Sequence, residues 1–176
     1  PEVRSGIGGA TTTAAELGRA FPDGPVVDSS GNHVRERVDS TPRLIVATPG
    51  AEPTPESGYA CAVILDAVSS LSRPGLAAVE QTVDRWMAIL ALVRSVRDGG
   101  RAVIVGPSED AALQAMVRND PVGWATRELA DRREAHFPPA VPCGIVDGDP
   151  KAVATAAQRL REWFGTDLEM LGPAPQ

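Results

Sequence analysis

An α/β fold with a mainly parallel sheet flanked by helices is predicted by three observations. Short apolar runs near 25–28, 43–48, 60–66 and 101–106 alternate with helical patterns, the order of repeated β-α units. The run from Ala60 to Asp66 is almost continuously apolar, as expected of a strand at the centre of a parallel sheet buried on both faces. The 176 residues, 43% of them hydrophobic, suffice for one ordinary domain with a real core and a small appendage.

The elements follow in order. Thr13-Ala-Ala-Glu16 has capping-box spacing and opens a helix that ends near Phe21, where Pro22-Asp-Gly24-Pro25 breaks it. Strands follow at Pro25–Asp28 and Arg43–Thr48, with a polar segment and a single helical turn between them. Pro74 stands in the first turn of a long helix reaching Asp98 and stopped by Gly99-Gly100. Its apolar positions Leu76, Val79, Val83, Trp86, Leu90 and Val93 form one stripe. A strand at Arg101–Gly106 precedes two helices, Glu109–Arg118 and Pro121–Ala135, the second with Asp120 as N-cap and Pro121 at N1. Phe137-Pro138-Pro139 makes a stiff boundary. Beyond it the pattern restarts with strand Val141–Val146, helix Pro150–Phe164 capped by Asp149, and strand Asp167–Leu171. The expected division is therefore a lobe at 1–137 and, at 138–176, the truncated β-α-β beginning of a second domain.

Charge and cysteine usage narrow the function classes. Seventeen Lys plus Arg against 23 Asp plus Glu give a net charge of −6, so any grip on phosphate has to be local or supplied by another part of a larger protein. Cys61 and Cys143 lack paired spacing, which argues for two reduced core thiols and against a disulfide framework or a zinc site. The longest apolar runs are too short to span a membrane and no leader stands at Pro1, so the expected location is cytoplasmic, and the abrupt start suggests a cut inside a longer chain.

Candidate sites are sparse. Gly6-Ile-Gly8-Gly9-Ala10-Thr11 before a helix, with Asp28 ending the next strand, imitates a dinucleotide-binding turn and its ribose-binding acid. A third glycine is missing, so a glycine turn feeding a helix is the simpler reading. No phosphate loop of the form G-x-x-x-x-G-K-[ST] is present. His33 and His136 fall in polar or boundary segments without a nucleophile nearby, and Asp66 at a strand end is the better-placed carboxylate. Arg94, Arg97 and Arg101 cluster around a helix end, while Arg127, Arg132 and Arg133 line another helix. Cations there complement a helix dipole, and rows of arginine also follow a phosphate backbone.

The order of these segments resembles the second helicase lobe and the start of the C-terminal domain of the PriA family, primosomal protein N-prime. The pieces that carry it are Ala15-Glu-Leu17 with Phe21-Pro22, Val63-Ile-Leu-Asp66, Ala78-Val-Glu80-Gln-Thr82, Ala112-Leu-Gln-Ala-Met-Val117, Glu128-Leu-Ala-Asp-Arg132-Arg-Glu134, Pro138-Pro139 and Leu171-Gly-Pro-Ala-Pro175. The resemblance implies a RecA-like lobe.

It also implies which positions have changed. ATP-hydrolysing members carry Gly-Thr-Gln and a lysine-glycine pair where Ala47-Thr48-Pro49-Gly50 and a proline-rich loop stand here. Their motif of glutamine, glycine and two arginines falls on Ala88, Ala91, Leu92 and Ser95. The implied type is therefore the degenerate one of high-GC Gram-positive bacteria, expected not to be an enzyme itself. Its expected work is recognition of forked or single-stranded DNA and primosome assembly during replication restart, close to the nucleoid. The implied partners are single-strand DNA-binding protein and the replicative helicase with its loading machinery. Catalytic, cofactor and metal residues are expected to be none in this chain, with zinc bound upstream of Pro1. Two alternatives stay open: an active ATP-dependent 3'-5' DNA helicase using Thr48 and Asp66, and a nucleotide-dependent oxidoreductase resting on Gly6 to Asp28.

Overall fold

The computed structural model describes residues 9–65 and 67–172, which form two compact units, Pro1–Glu128 and Leu129–Gln176. The expected strand-end carboxylate Asp66 and the glycines Gly6 and Gly8 lie outside the described residues.

The first unit is α/β with parallel strand pairs flanked by helices. Helix α1 (Ala10–Ala20) leads into β1 (Val26–Ser29), which pairs in parallel with β3 (Leu44–Ala47), Asp28 opposite Val46. A single 3-10 turn, Gly31–His33, and the short β2 (Arg37–Val38) lie between them, and β2 pairs with β4 (Thr54–Pro55). Strand β5 (Cys61–Ile64) pairs in parallel with β6 (Arg101–Ile104), Val63 opposite Val103. Between those strands run α2 (Ala67–Leu71) and α3 (Ala78–Ala91). Helix α4 (Ala111–Arg118) and α5 (Pro121–Glu134) follow, and the division between the units falls within α5.

The core sits on one face of the β5–β6 pair. Ile64 and Ile104 pack against a buried cluster of Ala67, Val83, Trp86, Ala112, Leu113, Ala115, Met116 and Trp124. The α3 positions Val79, Val83, Trp86 and Leu90 supply the stripe that the three-to-four spacing predicts. Burying an indole such as Trp86 or Trp124 contributes about 1.5–3 kcal/mol or more, on the scale set by large apolar side chains. Thr82 ties α3 to α2, its hydroxyl donating to Ala78 O at 2.7 Å and to Ser70 O at 3.1 Å.

Caps read from sequence are present where a carboxylate leads into the helix. Asp120 Oδ1 accepts from Gly123 N at 2.8 Å, ahead of Pro121 at the first turn of α5. In the second unit, Asp149 Oδ1 accepts from Lys151 N and Ala152 N to open α6 (Pro150–Phe164).

Several expectations change. Helix α1 begins at Ala10 and has no side-chain cap, so Thr13 lies inside its first turn, its N–H bonded to Gly9 O. The long helix expected from Pro74 to Asp98 is shortened at both ends. Gly75 has φ +131 and keeps Leu76 outside, 48% exposed. At the other end Val93 leaves the helix to bridge Tyr59, whose N–H and C=O bond Leu92 O and Arg94 N. The central strand is covered on one face only: Val63 and Val103, aligned side by side, remain 54% and 48% exposed. Cys61 shares that open face, so it is an exposed thiol and not a core one, and Cys143 is exposed too. Neither 141–146 nor 167–171 is a strand; the latter begins in a 3-10 turn, Gly165–Asp167. Pro142 and Gly144 interrupt the first of these segments, and a short strand without a partner ladder is marginal.

Candidate functional site

The carboxyl end of β3, beside that of β1, carries the proline- and glycine-rich loop from Thr48 to Gly58, and the structure shows what its residues do. Thr48-Pro49-Gly50-Ala51 has the sequence and bond of a type II turn: Ala51 N donates to Thr48 O at 2.9 Å and Gly50 has φ +89. Ala51 and Pro53 are buried. Thr54 N and Glu56 N then donate to Glu36 O and Val38 O at 2.9 and 3.0 Å, converting the proline-rich stretch into β4. Pro55 fits there because the ladder uses its neighbours' amides on either side.

Ser29, fully buried, is the hub of this arrangement. Its hydroxyl donates to Ala51 O at 2.7 Å and accepts from Arg35 N at 3.0 Å, joining β1, the loop and the segment before β2. Tyr59 closes the far end, its hydroxyl donating to Pro53 O at 2.6 Å. Burial, with a smaller contribution from the Glu52 carboxylate, raises the Tyr59 pKa above its ordinary value. Ser40 pairs with Ser57 at 2.7 Å just beyond the carboxyl ends of β2 and β4.

Arg94 completes the clamp. Its Nε donates to Ser57 O at 3.1 Å and Gly58 O at 3.0 Å, so a residue expected to touch DNA holds the loop through part of its guanidinium. Gly58, at φ +76, allows the approach; a Cβ there would lie 3.0 Å from Arg94 Cγ.

Beside this loop, Asp28 accepts from Thr11 Oγ1 at 2.8 Å and from Ser30 Oγ at 2.6 Å. The Ser30 bond, then the Thr11 bond, hold its carboxyl below the usual range, outweighing a small opposing effect of burial, and the nearby His33 adds to the lowering. The first turn of α1 therefore meets the end of β1, with both Asp28 oxygens engaged by the chain's own hydroxyls. His136, in the second unit, has φ +56 and places Nδ1 3.7 Å from Glu169 Oε2. Among the described residues no cluster of His, Cys, Asp and Glu is arranged to hold a metal ion.

The positions expected to hold altered motif residues lie in the loop after β3, on α3 and just beyond it. Ala88 is exposed on α3. Leu92 is the C-cap of α3 and its carbonyl accepts from Tyr59 N at 2.8 Å. Ser95 caps the 3-10 turn Val96–Asp98, its hydroxyl 2.6 Å from Asp98 Oδ2.

Of the remaining arginines, Arg97 is exposed in that same turn, and Arg127 lies 3.9 Å from Asp120 while 60% exposed. Arg132 Nη1 donates to Pro138 O at 2.7 Å, and Arg133 is exposed in the last turn of α5. At about 100° per residue, positions 127, 132 and 133 fan around the helix, so they do not form one row. Ser29, Tyr59 and the loop-holding role of Arg94 were missed by sequence reasoning. The only hint was that a sole tyrosine directly follows a proline-rich segment.

Parallel strand pairs flanked by helices define an α/β unit consistent with a RecA-like lobe, with its principal strand-end loop folded into the structure. No protein-family model and no solved structure matches the chain. Curated relatives do match it. The chain resembles the probable replication restart protein PriA of Mycobacterium tuberculosis, with 42% identity over 174 residues, 97% of this chain. The probable replication restart protein PriA of Mycobacterium leprae is likewise 42% identical over 171 residues. The chain spans 26% of the length of each of these relatives. Among the described residues no helix is long and apolar enough to cross a membrane.

Proposed function

We propose that this chain works in replication restart as a non-catalytic DNA-processing scaffold. In this reading residues 1–137 form a RecA-like lobe that has lost its ATPase motifs, and residues from 138 begin a C-terminal domain. The observation that carries the proposal is the wiring of the loop from Thr48 to Gly58. It contains no Lys, Arg, Asn, Gln or His, and its backbone is bound to Ser29, Glu36, Val38, Tyr59 and Arg94. A motor needs mobile donors there to couple phosphate to DNA, and arginine fingers contribute about 10³- to 10⁵-fold in rate. Leu92 cannot supply that charge, and Ser95 spends its hydroxyl on Asp98.

The similarity to proteins named for replication restart supports the biological setting. Binding is to forked or single-stranded DNA, and the partners are single-strand DNA-binding protein and the replicative helicase with its loader. Zinc belongs to upstream parts of such a protein, and the setting is the nucleoid. Arg97, Arg127 and Arg133, with the free ends of Arg94 and the side chain of Arg132, are the candidate DNA contacts of the lobe.

The test is ATP hydrolysis by a full-length protein carrying this segment, with and without forked DNA. Fork binding without DNA-stimulated hydrolysis is expected. Substantial stimulated turnover would favour the active 3'-5' helicase instead.

A further inference from the structure

Helix α6 carries an exposed row of two cations, a threonine and an indole, in which Thr155 Oγ1 donates back to Lys151 O at 2.9 Å. Side chains four apart on a helix stack into a ridge, and Lys151, Thr155, Arg159 and Trp163 form one such ridge, all of them exposed. The next ridge, Ala152, Ala156 and Leu160, is small and apolar. The two line a shallow open groove walled on its other side by Val146. With 1.5 Å of rise per residue, the two cations stand about 12 Å apart along the axis and the indole a further 6 Å beyond Arg159.

Trp163 is 73% exposed, whereas Trp86 and Trp124 are 3% and 6% exposed. An indole left in water beside cations and a hydroxyl offers a π face framed by positive charge. The local balance also departs from that of the chain: α6 holds Lys151, Arg159 and Arg161 against Glu162, three positive and one negative, on a chain of net charge −6. Glu162 is turned to Gln158, whose Nε2 donates to its Oε1 at 2.9 Å.

We propose that the Lys151–Thr155–Arg159–Trp163 row binds single-stranded nucleic acid. Trp163 stacks a base, and Arg159 and Lys151 neutralise phosphates further along the strand. Single-strand binders combine these parts: cations that track the backbone and an aromatic face that accepts any base. The small residues of the neighbouring ridge leave room for the sugar. Two cations and one ring predict modest affinity, strong salt dependence and little base preference. The proposal rests on the DNA-binding reading above and names a surface of the second unit for it.

The test uses the 176-residue chain and an oligothymidylate of about ten nucleotides, within the usual site size of such surfaces. With Trp86 and Trp124 buried, quenching of tryptophan emission on titration reports Trp163. Lys151 is the only lysine, so reductive ¹³C-methylation adds one side-chain NMR signal there to follow as well. Quenching together with a shift of the Lys151 signal is expected. The dependence of log affinity on log salt should have a slope of about −1.4, from two contacts at about 0.7 each.

Trp163→Ala should weaken binding roughly five-fold or more. Lys151→Gln with Arg159→Gln should abolish most of the salt slope. All these side chains are exposed, so the fold is retained, checked by near-ultraviolet dichroism of the buried tryptophans. Absence of quenching, or binding unchanged in these variants, overturns the proposal. In the second case the strand is held elsewhere and the replication-restart reading survives. Preferential quenching by an acidic, phenylalanine-containing peptide would make the row a protein-binding surface and would equally overturn it.

Discussion

Replacing Ser29 by alanine tests whether the Thr48–Gly58 loop is a fixed part of the fold. The substitution removes a buried hydroxyl that donates to Ala51 O and accepts from Arg35 N, and creates almost no cavity. Each group left without its partner costs about 1–3 kcal/mol when buried. Water reaches the exposed Arg35 more easily than the buried Ala51, so a total of roughly 2–4 kcal/mol is expected, most of it from the Ala51 carbonyl. For a chain of this size that corresponds to a fall in Tm of roughly 4–16 °C. Urea unfolding followed by Trp86 and Trp124 emission, in a Trp163→Phe background, measures the global effect. Hydrogen exchange at the amides of Thr54 and Glu56, which close the β2–β4 ladder, measures the local one. Loss of protection at those two amides ahead of the core amides of α3 is the expected pattern. A Ser29→Ala protein within about 0.5 kcal/mol of the parent, with Thr54 and Glu56 still protected, would refute the description of Ser29 as the hub.

Four further outcomes are expected. Asp28 should titrate below its ordinary value of 3.8, and Ser30→Ala should raise its midpoint more than Thr11→Ala does, read by carboxylate NMR. Because its folded pKa is depressed, any stability linked to Asp28 is present above the unfolded pKa and is lost as pH falls through the folded one. Tyr59 should ionise above 10.0 in a spectrophotometric titration, with Glu52→Gln lowering the midpoint, and stability tied to its neutral form should fall as pH rises past that range. Asp110→Ala, which removes the acceptor for Ala112 N and Leu113 N, should cost about 1 kcal/mol in urea unfolding. Gly106→Ala would put a Cβ 2.9 Å from Ala67 Cβ and 2.8 Å from Leu113 Cδ1, and should destabilise by about 1–3 kcal/mol in the same assay.

Legibility from sequence followed the range of the forces involved. The β-α order, the α3 stripe and the caps at Asp120 and Asp149 were readable because periodicity and capping act within a turn or two. The true end of α3 was not: Leu92 to Arg94 continue the helical pattern but are recruited by Tyr59, more than 30 positions earlier in the chain. Likewise β2 and β4 are only two residues each, and their pairing of Val38 with Pro55 depends on a loop already folded by Ser29. The strand proposed at 141–146 failed for the opposite reason, since its local pattern has no partner ladder among the described residues. At the candidate site, the proline and glycine content of the loop announced a turn, while the hub that secures it is a serine at the end of a strand, indistinguishable in sequence from a solvated one.

The two cysteines, exposed where burial was expected, give the chain a use that no engineering had to add. Cys61 belongs to the first compact unit and Cys143 to the second, and they are the only thiols in 176 residues. A donor and an acceptor dye placed on them would report the separation of the two units directly, molecule by molecule. Since neither thiol lies on the Thr48–Gly58 loop or on α6, the same labelled protein can be titrated with oligothymidylate. Any rearrangement on binding would then be read as a change in transfer efficiency in wild-type sequence.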